Sequence, residues 1–121
     1  MKRLPIAINT NFNPFRMSLH DKKPVQLGLE IVNRENEAKM LSLVITISNQ
    51  LSFDKSGFKT EEKMLLEVMQ PNEKRKVFLD IFSKPITRQG EQPIRIKVLE
   101  HYNDYKYVVK ETKLDTGLRV V

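Results

Sequence analysis

The stretch "VQLGLEIVN", residues 25–33, places Val25, Leu27, Leu29 and Ile31 on one side of an extended chain and Gln26, Gly28 and Glu30 on the other. The stretch "LSLVITISN" repeats the pattern, with Leu41, Leu43, Ile45 and Ile47 alternating with Ser42, Val44, Thr46 and Ser48. A period of two sustained over this length describes a β-strand with one face buried and one face wet, because successive side chains of a strand point to opposite sides. The intervening "NRENEAK", Asn33 to Lys39, is polar and suits a turn.

The same period recurs downstream. In "QPNEKRKVFLDIF" a turn at Pro71-Asn72-Glu73 precedes a strand whose Val77, Leu79 and Ile81 face one way and whose Phe78, Asp80 and Phe82 face the other. Proline presets its own dihedral for the turn, and asparagine tolerates the left-handed one beside it. "MLLEVM", 64–69, reads either as a helical stripe of Met64, Leu65, Val68 and Met69 behind the acidic pair Glu61-Glu62, or as a strand. Pro71 leaves room for only about two helical turns, so a strand is preferred. "PIRIKVLEHY" and "YKYVVKETKL" add two more strands. Starts near Val25, Leu41, Met64, Arg75, Ile94 and Tyr105 predict an all-β protein, an immunoglobulin-like β-sandwich of about seven antiparallel strands in two sheets. The 121 residues suit one domain, with 1–24 a first strand or N-terminal arm.

That arm begins with Lys2 and Arg3 ahead of Leu4, Ile6 and Ile8, but Pro5 interrupts the run and Asn9 ends it. A secretory core of roughly 7–15 apolar residues is not reached, nor anywhere a membrane span of about 18. With no cysteine there is no disulfide, thiolate metal site or cysteine nucleophile. The expected location is cytoplasmic.

The run "LEVMQPNEKRKVFLDIF … QGEQPIRIKVLEH" resembles the second half of the stand-alone immunoglobulin-like modules called CARDB-type domains, which are fibronectin type III-like in build. Pro71, Asn72 and Glu73 fill their turn, Asn72 standing where the pattern usually has glycine. Gly90, Pro93, Ile94, Ile96 and Val98 fill their last strand, and "LGLEIVNRENEAKMLSLVITI" matches their opening hairpin. The likeness spans about Val25 to Val109. It implies a sandwich fold and an interaction or spacer role without catalytic residues.

The residues themselves point the same way. His20 and His101 are the only histidines and read as surface residues; imidazole metal sites need two or three converging ligands. Asp80 lies inside "VFLDIF", but alternation turns it to solvent. No phosphate-cradling glycine loop, nucleophile elbow or Ser/His/Asp arrangement is present. The expectation is no enzyme, no metal and no cofactor.

Charge leaves a second class open. There are 21 Lys and Arg against 15 Asp and Glu, a net +6, which favours anionic partners. In "LEHYNDYKYVVKE" a two-residue turn at Asn103-Asp104 pairs Tyr102 with Tyr105, His101 with Lys106, Glu100 with Tyr107, Leu99 with Val108 and Val98 with Val109. Ile94, Ile96, Val98, Tyr102, Tyr105, Tyr107 and Val109 then share the core side, with the tyrosine bodies capping the core. Arg95, Lys97, His101, Lys106 and Lys110 form a basic face interrupted by Leu99 and Val108. Rings and cations on opposite faces make a poor single-strand platform, which needs both on one side. The same register sets Glu111 opposite Ile96 on the apolar side, so a bulge or an end of pairing is expected there.

The remaining long connection, Gln50 to Lys63, carries Phe53 and Phe58 on either side of Ser56-Gly57, and both are expected to cover an end of the sandwich. The expected role is a non-catalytic module that binds another protein through a sheet face, with the basic one as candidate, through this loop or through an open strand edge. The alternative is a nucleic-acid-binding domain using the basic hairpin face. A homo-oligomer joined at edge strands is the third form of partner.

Overall fold

A computed structural model describes residues 5–121. Lys2, Arg3 and Leu4 lie outside the described residues. The chain forms β1 (Ile6–Asn13), β2 (Arg16–Met17), β3 (Val25–Asn33), β4 (Lys39–Ile47), β5 (Leu51–Ser52), β6 (Glu61–Met69), β7 (Lys74–Ser83), β8 (Gly90–Tyr102) and β9 (Asp104–Val120), with no helix among the described residues. Two sheets result. The smaller runs β1-β3-β7-β5 and the larger β2-β9-β8-β4-β6. All pairings are antiparallel except β2 with β9. The first strand therefore serves both sheets: β1 pairs with β3, and after Pro14-Phe15 the chain crosses so that β2 lies along the end of β9.

The alternating residues meet between the sheets. Val25, Leu27, Leu29 and Ile31 of β3 face Leu41, Leu43, Ile45 and Ile47 of β4 and Ile94, Ile96 and Val98 of β8, all buried. The 64–69 segment is a strand. Leu41 and Ser42 of β4 pair with Glu67 and Leu65, so Leu66 is an extra residue in β6, and this bulge sets Leu66 and Met69 into the core, leaving Leu65 and Val68 outside. Glu67 takes a positive φ of 59° at this bulge, which bends the edge of the larger sheet away from straight pairing.

The expected turn forms at Gln70–Glu73, closed by the Glu73 N–H donating to the Gln70 carbonyl at 3.0 Å. Asn72 sits at φ 64° in the left-handed region, so the residue standing in glycine's place is of a side-chain type that tolerates the conformation better than most. Asn33 ties this turn to the sandwich. Its backbone N–H donates to the Glu73 carbonyl (3.1 Å) and its carbonyl accepts from the Asn72 N–H (2.6 Å). Its fully buried side-chain amide donates to the carbonyls of Met69 (2.9 Å) and Glu37 (3.1 Å) and accepts from the Glu35 N–H (3.0 Å). Arg75 makes a second stitch, its guanidinium donating to the Leu66 carbonyl of the opposite sheet and to Glu73.

Two donors, first the Gln70 N–H and then Arg75, hold the Glu73 carboxyl below its ordinary value of 4.5. A carboxyl whose pKa is depressed by folding adds stability above its unfolded value and loses it as pH falls through the folded one. The stability advantage of the wild type over Glu73→Gln is therefore expected to shrink between about pH 5 and pH 3. Thermal melts of both proteins at the two pH values check it; a constant gap contradicts it.

Candidate interaction surface

The C-terminal hairpin departs from the expected register. Asn103 alone turns the chain, at φ 66°, and Tyr102 pairs with Asp104. His101 then pairs with Val108 and Glu100 with Lys110, so β9 bulges at Tyr105–Tyr107 and again at Val109. Along the body of the hairpin Val98 lies opposite Thr112 rather than Val109, a slip of three residues. An odd slip exchanges the faces of a strand. Leu114, not Glu111, consequently stands opposite Ile96, and Glu111 moves outward beside Leu99. The bulge expected near Glu111 is at the hairpin tip instead.

This exchange dismantles the expected basic face. Arg95 and Lys97 do lie on the outer side of the larger sheet, but Arg95 pairs with Asp115 at 2.9 Å and Lys97 with Glu111 at 3.7 Å. Lys110, opposite Glu100, falls on the other side of the sheet, and Lys106 sits in the tip bulge. His101 is buried rather than on the surface, sharing a 2.7 Å hydrogen bond between Nε2 and the Ser42 hydroxyl. Nor do the tyrosines cap the core: Tyr102 and Tyr107 are exposed, and Tyr105 packs edge-on against the His101 ring at 5.1 Å between centroids. His20 is exposed, as is Asp80.

The Gln50–Lys63 connection divides its two phenylalanines. Phe53 is buried at the end of the core, with its N–H donating to the Lys59 carbonyl at 2.7 Å. Phe58 is 88% exposed and covers nothing. The reason is local: Asp54 accepts from the hydroxyls of Ser52 (2.8 Å) and Ser56 (2.7 Å), coiling the loop tightly so that Phe58 points away. The Ser56 hydroxyl, then that of Ser52, also holds the Asp54 carboxyl below its ordinary value.

What the register assembles instead is an apolar half-face. Across β6, β4, β8 and β9, one row of the outer side reads Val68, Met40, His101, Val108, and the next reads Leu65, Ser42, Leu99, Glu111. Leu65 is 63% exposed, Val68 46% and Val108 52%. The two rows beyond turn ionic: Lys63, Val44, Lys97, Lys113, then Glu61, Thr46, Arg95, Asp115. At the tip end Lys39 bridges Glu37 (2.8 Å) and Glu100 (2.9 Å), which keeps its ammonium protonated well beyond the ordinary range. An apolar patch bounded by charges on a sheet with an open edge strand, β6, has the make-up of a protein contact surface. Sequence reading missed Leu65 and Val68. Their signal lay in the exposed parity of β6, legible only once the bulge at Glu67 was known.

The Ser42–His101 contact has the distance of a nucleophile and its base. However, both side chains are buried, and His101 Nδ1 has no hydrogen-bond partner among the described residues.

No family model matches the chain, and no curated protein sequence matches it significantly. Solved structures do. A region of Escherichia coli alpha-2-macroglobulin in its native conformation superposes with a TM-score of 0.63 and 16% identity, covering 98% of this chain and 7% of that one. The FixG-related protein from Vibrio parahaemolyticus gives 0.58 at 11% identity over 98% of both chains. AvmM, which catalyzes macrocyclization in alchivemycin A biosynthesis, gives 0.58 at 10% identity over 95% of this chain and 89% of that one. The fold is an immunoglobulin-like β-sandwich. At such identities the likeness carries the fold alone, and this chain spans a small fraction of the macroglobulin's length. No helix among the described residues is long and apolar enough to cross a membrane.

Proposed function

We propose that residues 1–121 form a single non-catalytic protein-interaction module, of the CARDB or fibronectin type III-like kind that its sequence resembles, which binds another protein through the apolar half-face of its larger sheet. The observation that carries this reading is the exposure of Leu65 and Val68 side by side on the edge strand β6, with exposed Val108 at the far end of the same row beyond Met40 and His101. Leaving three large apolar side chains in water gains nothing for folding, whereas covering them on binding removes apolar area from water at about 25 cal/mol per Å². A protein ligand fits this surface better than a nucleic acid does, because Arg95 and Lys97 are already paired with carboxylates. Support for a non-catalytic role comes from the burial of both members of the Ser42–His101 pair, which keeps a substrate from reaching them.

The test is capture from nuclease-treated native lysate with the wild type and with a Leu65→Asp/Val68→Asp variant. Both positions are exposed, so the variant is expected to melt close to the wild type and to lose its captured protein by at least about tenfold. Equal capture by the two proteins removes the surface from consideration. In a parallel capture from untreated lysate, recovery of nucleic acid that is shed on raising salt, and lost in a Lys97→Glu/Lys106→Glu/Lys110→Glu variant, favours the alternative.

A further inference from the structure

The opposite side of the molecule carries a separate feature. On the outer face of the smaller sheet the register sets Asn9, Glu30 and Lys76 in one row and Asn11, Gly28 and Phe78 in the next. Gly28 is the floor. A Cβ there would stand 2.1 Å from Asn11 Oδ1 and 3.5 Å from the Phe78 ring, so the asparagine amide lies over the glycine with the ring beside it. Around them opens a groove of about 290 Å³, at the small end of the range for ligand sites. Phe78 is 58% exposed beside it, and Asn9 Nδ2 reaches Glu30 Oε1 only at 3.4 Å, a weak bond that is easily exchanged.

The geometry points to a binding site for a neutral carbohydrate, with one pyranose ring stacked on Phe78 and its hydroxyls bonded to Asn9, Asn11 and Glu30. An aromatic face is negative and attracts the weakly positive C–H bonds on one side of a sugar ring. Hydroxyls donate and accept at once. Amides match them with an N–H donor and a carbonyl acceptor side by side, a carboxylate accepts and the Lys76 ammonium donates. The two charges at the site, Glu30 and Lys76, cancel, so neither an anionic nor a cationic ligand is favoured over a neutral one. A shallow site with one ring binds weakly, with Kd on the order of 0.1–1 mM. This site is independent of the apolar half-face, which lies on the other sheet.

The experiment is an amide-shift NMR titration of the intact protein with maltohexaose, cellohexaose, mannohexaose and chitohexaose. At least one is expected to give saturable shifts centred on Asn9, Asn11, Gly28 and Phe78. Phe78→Ala and Asn11→Ala, both at exposed positions, are each expected to weaken that binding about tenfold while the spectrum stays dispersed. Four non-saturating titrations, shifts centred elsewhere, or wild-type affinity in Phe78→Ala overturn the assignment. Equal shifts from a capped tetra-alanine peptide overturn it too, showing a groove that reads peptide backbone instead.

Discussion

Asn33→Ala is expected to lower the stability of the domain by about 2–4 kcal/mol, measured as a shift of the chemical denaturation midpoint at unchanged slope. The alanine removes no large apolar volume, so the loss comes from polar groups. The carbonyls of Met69 and Glu37 and the Glu35 N–H all lose their partner, and Met69 lies in the interior where water cannot replace it easily. Each lost bond counts for about 1 kcal/mol, and more for the buried one. The location magnifies the consequence. Asn33 ends β3 in one sheet, and its amide grips the end of β6 in the other, while its backbone holds the Gln70–Glu73 turn. Asn33→Asp separates polarity from hydrogen bonding. Its carboxylate turns acceptors toward two carbonyls, so it is expected to be at least as damaging at neutral pH. Part of that loss is recovered in acid, where a protonated carboxyl donates one bond. A change below about 0.5 kcal/mol in Asn33→Ala would mean that the side chain is not a cross-sheet clamp.

Ile96→Ala is expected to cost about 2–5 kcal/mol, and Ile96→Val about 0.5–1.5. Ile96 is fully buried at the middle of β8, beside Ile45 on β4 and Leu114 on β9. Its neighbours belong to three strands of one sheet and pack against β3 of the other, so they cannot all collapse into the space that alanine leaves. Incomplete collapse adds a cavity term to the lost transfer energy. The graded pair also tests the observed register. In the slipped one, Glu111 would stand beside Ile96, and shortening Ile96 would relieve its burial rather than open a cavity. Equal stability of Ile96→Ala and wild type would point to that register. Since domains of this size are stable by about 5–15 kcal/mol, either Asn33→Ala or Ile96→Ala consumes a large part of the total.

The hairpin shows where a local pattern stops being sufficient. Pairing tyrosine with tyrosine around Asn103-Asp104 satisfies cross-strand preference at the tip, yet it buries Glu111. The observed structure accepts bulges at Tyr105–Tyr107 and Val109, and in exchange aligns Leu114 with Ile96 and brings Glu111 and Asp115 against Lys97 and Arg95. Core burial over the length of β8 outweighs pairing preference at its end. The basic face therefore dissolved, and an apolar face took its place as the candidate contact surface. Phe53 and Phe58 teach the same point on a smaller scale. They lie on either side of the Ser56-Gly57 turn, but the Asp54 hydrogen bonds choose which one goes inside.

Local pattern was enough for the main strands, for the buried faces of β3, β4, β7 and β8 and for the sandwich class, because a period of two and turn chemistry such as Pro71-Asn72 act within a few residues of the chain. The 64–69 segment stayed open between helix and strand, the short run before Pro71 only favouring the strand that the structure shows. The register of β8 on β9, the bulge at Glu67 that leaves both Leu65 and Val68 outside, and the rows that bring Asn11, Gly28 and Phe78 together were settled by long-range packing. These depend on contacts between residues far apart in the chain, where a shift of one position inverts a face and only the summed burial of the whole core selects among the alternatives.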